Sequence, residues 1–186
     1  MKSLMTIFAL LLVTVAGAAP ATEPAFDFPY ADGLYATITL RKRLGKPAPV
    51  FDQIVSLPGI PGFKGVMNVR VLWQTDSAGR IQTAPLIVSL PGLMGHSDDQ
   101  LARRWQSIAF DAGGHVLSID SPFSPEFNRI SGQGVAGNLA AEARAVAGII
   151  QAFLEIPGAR DHITEAQLLG ASYGGSVALY LARLSR

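Results

Sequence analysis

The chain has 186 residues, with 15 basic and 14 acidic side chains, a net charge of +1 and 49% hydrophobic residues. Near-neutral charge without a basic stripe argues against nucleic acid or polybasic membrane attraction, and the densest basic cluster, Arg41-Lys42-Arg43, reads as a solvated strand end or turn. The lack of any cysteine excludes disulfides, thiolate metal sites and a lipid-anchored lipoprotein.

Residues 1–18 read as a cleaved secretory signal. Lys2 makes a positive start, Leu4 to Ala16 is an apolar run of roughly 13 residues, and Ala16-Gly17-Ala18 is a small-x-small cleavage site. The run is shorter than the about 20 residues of a bilayer span, so no stable membrane anchor is expected once it is removed after Ala18 or Ala21. A secreted or periplasmic location follows. The roughly 168 residues that remain are enough for one domain with its own core.

Residues 19–65 read as an extended, Pro- and acid-containing segment followed by first strands, with Tyr35 to Leu40 alternating. Ile54-Val55-Ser56-Leu57-Pro58-Gly59 recurs as Ile87-Val88-Ser89-Leu90-Pro91-Gly92, but the flanks differ. Two strands ending in similar turns explain this without a repeat architecture.

Residues 66–186 are expected to form the main domain. Val66 to Gln74 alternates, with Val69, Val71 and Trp73 on one side, and Asp76-Ser77-Ala78-Gly79 is a turn. Ala84 to Leu90 is continuously apolar, as suits a strand covered on both faces. Ser97-Asp98-Asp99-Gln100 predicts a capping box, with Asp98 and Asp99 at the positive helix start rather than on a metal. Leu101, Trp105, Ile108, Ala109 and Ala112 then mark one helix face, ended by Gly113-Gly114. His115 to Asp120 is a strand, and a long Pro/Gly loop follows. Leu139, Ala143, Val146, Ala147, Ile150 and Leu154 stripe a second helix that Pro157-Gly158 closes. Ala166 to Ala171 is a strand, and Val177, Leu181 and Leu184 face inward from a last helix. Alternating strands and helices predict an α/β fold, a mostly parallel sheet flanked by helices.

The chemistry sits where that last strand meets its helix. Leu168-Leu169-Gly170-Ala171-Ser172-Tyr173-Gly174-Gly175 places a serine at the apex of a strand–turn–helix, inside Gly-x-Ser-x-Gly. Gly170 and Gly174 are small because strand and helix pass close there. This resembles the nucleophile elbow of the α/β-hydrolase superfamily. The segment Leu90-Pro91-Gly92-Leu93-Met94-Gly95-His96-Ser97 is similar to the His-Gly-x-x-Gly loop of that family, with Pro91 in the histidine's place. The resemblance implies an α/β-hydrolase fold, a serine nucleophile at Ser172, and an oxyanion hole from the Leu93 and Tyr173 amides. It implies no cofactor, and a small-molecule, ester-like substrate.

A serine hydroxyl needs a base. His115 and His162 stand at the starts of strands, the wrong end. His96 lies at the right end and can line the pocket, although a loop histidine near a helix start is the plainer reading. Asp120 closes its strand beside the site, with capping of the turn at Ser121-Pro122 as its plainer role. Phe123, Pro125 and Phe127 either wall an apolar pocket or pack a long loop. No His/Asp/Glu cluster has metal spacing.

The resemblance covers residues 66–186, the N-terminal part of the fold. In the family the triad acid and histidine follow the elbow helix, so it implies a C-terminally truncated site, incomplete as given. Two readings follow: an exported serine hydrolase acting on carboxyl esters or related acyl groups, or a degenerate hydrolase-like domain that only binds. It also implies that the strand entering Ser172 has a bare outer edge.

Overall fold

The computed structural model describes residues 6–8, 52–132 and 135–184. The strand expected at Tyr35 to Leu40 lies outside them, as does most of the signal segment. Among the described residues there are six strands: β1 (Thr6–Phe8), β2 (Asp52–Leu57), β3 (Met67–Leu72), β4 (Ala84–Leu90), β5 (His115–Ser118) and β6 (Ile163–Gly170). Four helices join them: α1 (Gln100–Asp111), α2 (Pro125–Ser131), α3 (Leu139–Leu154) and α4 (Tyr173–Leu184). The sheet order is β1-β6-β4-β5-β3-β2. β4 pairs in parallel with β5 and β6, and β6 with β1, while β3 runs antiparallel to both β2 and β5.

The central strands are buried on both faces, as the apolar run of β4 predicts. On one face Val69, Val71, Leu86, Val88, Leu117 and Leu168 meet Val146, Ile149 and Phe153 of α3 and Val177 and Leu181 of α4. On the other, Leu72 and Val116 meet Ala109 of α1. The chain leaves β4 through α1 to β5 on one side, then returns through α3 to β6 on the other. That reversal makes the carboxyl ends of β4 and β6 the topological switch point, the place where ligands of open α/β sheets bind.

Local details depart from expectation. The capping box does not form: α1 has Asp99 as its N-cap with no side-chain cap bond. The Ser97 amide instead donates to Asp120 Oδ1 at 2.6 Å, a tertiary bond that removes the geometry the box needs. The buried face of α1 is Ala102, Gln106, Ser107 and Ala109, while Leu101 and Ile108 are exposed. Three of these four buried side chains are small, which suits a helix packed against β4 and β5. On α3 the stripe centres on Ala143, Val146, Ile149 and Phe153, and at the end of α4 Leu184 is exposed.

The loop after β5 contains the α2 helix, capped by Ser124, whose hydroxyl accepts from the Phe127 amide at 3.3 Å, with Pro125 in its first turn. Phe127 is fully buried, edge-on to Phe63, which settles it as packing. The outer edge of β6 is also not bare over Gln167 to Leu169, because Thr6, Ile7 and Phe8 pair with it there. The expected turn at residues 76–79 is present, with Asp76 Oδ1 accepting from the Ala78 and Arg80 amides.

Candidate active site

Ser172 sits between β6 and α4 with φ +52°, in the left-handed region that a side chain enters only when its surroundings hold it there. What holds it is close backbone. The Ala171 amide donates to the Leu90 carbonyl at 3.0 Å, tying β6 to the end of β4. A Cβ on Gly170 would strike the Gly174 carbonyl and come within 2.6 Å of Gly175 Cα, and one on Gly174 would strike the Leu90 and Pro91 carbonyls. Both glycines are therefore steric requirements of the elbow, as their spacing predicts.

The loop after β4 comes to the same point. A Cβ on Gly92 would lie 3.5 Å from Ser172 Cβ and 3.9 Å from its Oγ, so the glycine leaves open the space beside the hydroxyl. Leu93 follows directly, and Met94 takes φ +56° so that the Gly95 amide can bond the Gly92 carbonyl at 2.9 Å. Leu93 and Met94 are exposed, at 56% and 61%. Across the turn, Tyr173 opens α4. The next two amides are used locally, Gly174 to the Ala171 carbonyl and Gly175 to the Ser172 carbonyl, both at 2.9 Å. The first amides of a helix have no intrahelical acceptor, which leaves the Tyr173 N–H available beside Ser172 and adds the positive end of α4.

His96 and Asp120 are brought together. His96 Nδ1 lies 3.2 Å from Asp120 Oδ2, and the His96 amide donates to Asp99 Oδ2 at 2.7 Å. Since Asp120 also holds the Ser97 amide and Ser121 N bonds the Gly95 carbonyl at 3.0 Å, the end of β5 fixes this loop. Asp120 is thus a clamp on the loop rather than a cap of the Ser121-Pro122 turn.

The other histidines are placed away from the elbow. His115 is fully buried at the start of β5. Its Nδ1 accepts from the Gln74 amide at 2.9 Å, and its Nε2 faces the Gln82 and His162 carbonyls, both at 3.1 Å. That set suits a neutral ring with the proton on Nε2, and burial lowers its pKa below 6.5.

Phe123 stands edge-on to Tyr173, ring centroids 5.2 Å apart. The Tyr173 hydroxyl donates to Glu142 Oε2 at 2.7 Å, and its pKa is pushed up to about 12, by burial first and by Glu142 second. Glu142 is fully buried, and its Oε1 accepts from the Gly137 amide at 2.6 Å. The sequence reading passed over Glu142. Its signal was a carboxylate in register with Val146, Ile149 and Phe153 on the apolar face of a helix.

No family model and no curated protein matches the chain. Solved structures do. Est1E from Butyrivibrio proteoclasticus is 15% identical with a TM-score of 0.50, over 72% of this chain and 46% of that one. It is also solved with ferulic acid bound. The hyperthermophilic esterase from the archaeon Pyrobaculum calidifontis is 20% identical, TM-score 0.51, over 82% of this chain and 45% of that one. The thermophilic carboxylesterase EstE1, cloned from a metagenomic library, is 17% identical, TM-score 0.52, over 79% and 45%. The chain thus spans less than half the length of each of these esterases. Sheet order, a left-handed serine at the elbow and these likenesses identify the fold as that of the α/β-hydrolase superfamily.

Proposed function

We propose that Ser172 is the nucleophile of an exported hydrolase acting on carboxyl esters or closely related acyl groups. The observation that carries this reading is the convergence of two independent segments. Ser172 is held at φ +52°, and the glycine loop after β4 runs beside it, so that a Cβ added to Gly92 would lie 3.9 Å from the Ser172 hydroxyl oxygen.

In this reading Ser172 Oγ attacks the acyl carbon while a base removes its proton. The carbonyl oxygen becomes an oxyanion, met by the Leu93 and Tyr173 amides. Collapse expels the alcohol, which takes the proton back, and water then releases the acid by the same two steps. A histidine backed by an acid is the usual base for a serine. Among the described histidines, His96 is the one at this end of the sheet, with its Nδ1 committed to Asp120. Leu93, Met94 and Phe123 supply apolar surface around the acyl or alcohol group. Est1E's ferulic acid complex recommends aromatic esters alongside short-chain ones in a substrate panel.

The test compares wild type with Ser172→Ala on that panel, and labels both with a fluorophosphonate. Loss of a nucleophile removes on the order of 10⁴–10⁶ of rate, so turnover and labelling should vanish together in the variant. Equal turnover and equal labelling in both proteins count against Ser172 as the nucleophile and leave a hydrolase-like domain that binds without catalysis standing. Export is tested by N-terminal sequencing of secreted or periplasmic material, expected to start after Ala18 or Ala21. A start at Met1 refutes it. Such cleavage also removes Thr6–Phe8 and with it the strand paired to Gln167 to Leu169.

A further inference from the structure

Glu142 is buried on α3, and no step of the proposed reaction uses it. Burying a carboxyl group is costly unless it is hydrogen-bonded. Here each oxygen accepts one bond, from the Tyr173 hydroxyl at 2.7 Å and from the Gly137 amide at 2.6 Å. A leucine would fill the same place between helices. What a leucine cannot do is hold the far end of a tyrosine.

That tyrosine follows the strained Ser172. Its own amide donates no intrahelical hydrogen bond, so the helix ladder does not by itself hold the first residue of α4. The phenol is fixed at its tip by Glu142 and flanked on its face by Phe123 at 5.2 Å. Glu142 is itself fixed. It lies in the first turn of α3, whose N-cap Asn138 accepts from the Ala141 amide at 3.1 Å, and it reaches back to Gly137, which takes φ +84°.

We propose that Glu142 is a positioning residue for the Ser172 site: through the Tyr173 hydroxyl it fixes the first turn of α4, and so the Tyr173 amide that meets the oxyanion. The inference rests on the proposed hydrolase reading for its chemical consequence, but its structural half stands without it. Tyr173 remains a neutral donor across the working range, since its pKa is near 12. A misplacement of about 1 Å at a reacting centre costs on the order of 100-fold in rate, and loss of a whole oxyanion donor about 100- to 1,000-fold. A loosened donor should cost less, about tenfold.

The experiment uses Tyr173→Phe, Glu142→Gln and the double variant of the full chain. Tyr173→Phe keeps the ring and removes only the hydroxyl, so it decides the question even if Glu142→Gln fails to fold. Amide hydrogen exchange over residues 170–175 should rise about tenfold in each single variant and no further in the double, while β4 exchanges as in wild type. For Ser172-dependent ester hydrolysis, kcat per titrated site should fall about tenfold with KM within about twofold. Unchanged exchange at the elbow in folded Tyr173→Phe overturns the clamp. Faster exchange with unchanged kcat overturns its part in the reaction. A wild type without Ser172-dependent hydrolysis counts against the proposed function instead, and exchange alone then decides the clamp.

Discussion

Gly174→Ala tests the steric argument for the elbow most directly. The added Cβ would meet the Leu90 and Pro91 carbonyl oxygens and stand 2.7 Å from the Leu90 carbonyl carbon, closer than a real Cβ comes. These are backbone atoms, and the Leu90 carbonyl is already engaged by the Ala171 amide at 3.0 Å. No rotamer change relieves the clash, so the cost belongs at the upper end of overpacking, about 3 kcal/mol. Alanine returns about 1 kcal/mol over glycine inside a helix. The net loss is about 2 kcal/mol. Gly148→Ala in α3 is the matched control. Its Cβ meets only the Ile60 Cγ2 methyl, at 3.3 Å, which can yield by a few tenths of an ångström. That variant should gain about 0.5 kcal/mol, because the propensity gain is only partly offset. With a urea slope of about 2 kcal/mol/M, the two midpoints should differ by about 1 M. Urea titrations followed by circular dichroism measure this. A Gly174→Ala midpoint at or above wild type would falsify the packing of α4 against the end of β4 described above.

Three further outcomes follow from named contacts. His115 is neutral in the fold with its pKa lowered from 6.5 by burial, so its folded state binds a proton less readily than the unfolded chain. Its contribution to stability is complete above about pH 6.5 and declines as pH falls toward the lowered folded value; urea midpoints at pH 7.5 and 5.5 should show this decline, and His115→Gln should flatten it. If the slope is the same in both proteins, the neutral-ring assignment is wrong. Asp120→Ala leaves the Ser97 amide without its 2.6 Å acceptor, at a cost of about 1–3 kcal/mol, and should speed amide exchange across residues 95–97 where Asp120→Asn does so much less. Exchange equal in the two variants removes Asp120 as the loop clamp. Ser124→Ala deletes the cap of α2 and should cost about 1 kcal/mol in urea unfolding; an unshifted midpoint shows that Pro125 and the burial of Phe127 suffice.

Local pattern carried the strands and helices that are long or sharply punctuated. The apolar run at Ala84 to Leu90 and the stripe from Leu139 to Leu154 correspond to β4 and α3, because burial period and length agree within one segment. The elbow was legible for the same reason: Gly170, Ser172 and Gly174 are constrained by atoms within a few residues, plus one neighbouring strand. The α2 helix was readable in principle from Ser124-Pro125, a cap followed by proline, and was passed over because the surrounding glycines and prolines resemble a loop.

What local pattern could not decide was which polar groups meet across the fold. Ser97, Asp99 and Gln100 have the composition of a capping box, yet the Ser97 amide is taken by Asp120, 23 residues later. The α1 helix has two usable faces, and the approach to β4 and β5 chose the one with Ala102 and Ala109 over the one with Leu101 and Ile108. Glu142 and Tyr173 are 31 residues apart, and nothing near either names the other. The sequence by itself determined the strand–turn–helix that lifts Ser172 and the glycine at position 170, because that demand is set by neighbours along the chain, whereas the atoms that exclude a side chain at Gly174 come from the end of β4. Only the tertiary structure decided that Gly92 lies against Ser172, that Asp120 holds the loop and that Glu142 holds Tyr173. Hydrogen bonds and close contacts between distant residues depend on strand order and helix approach, and those are set by the packing of the whole sheet.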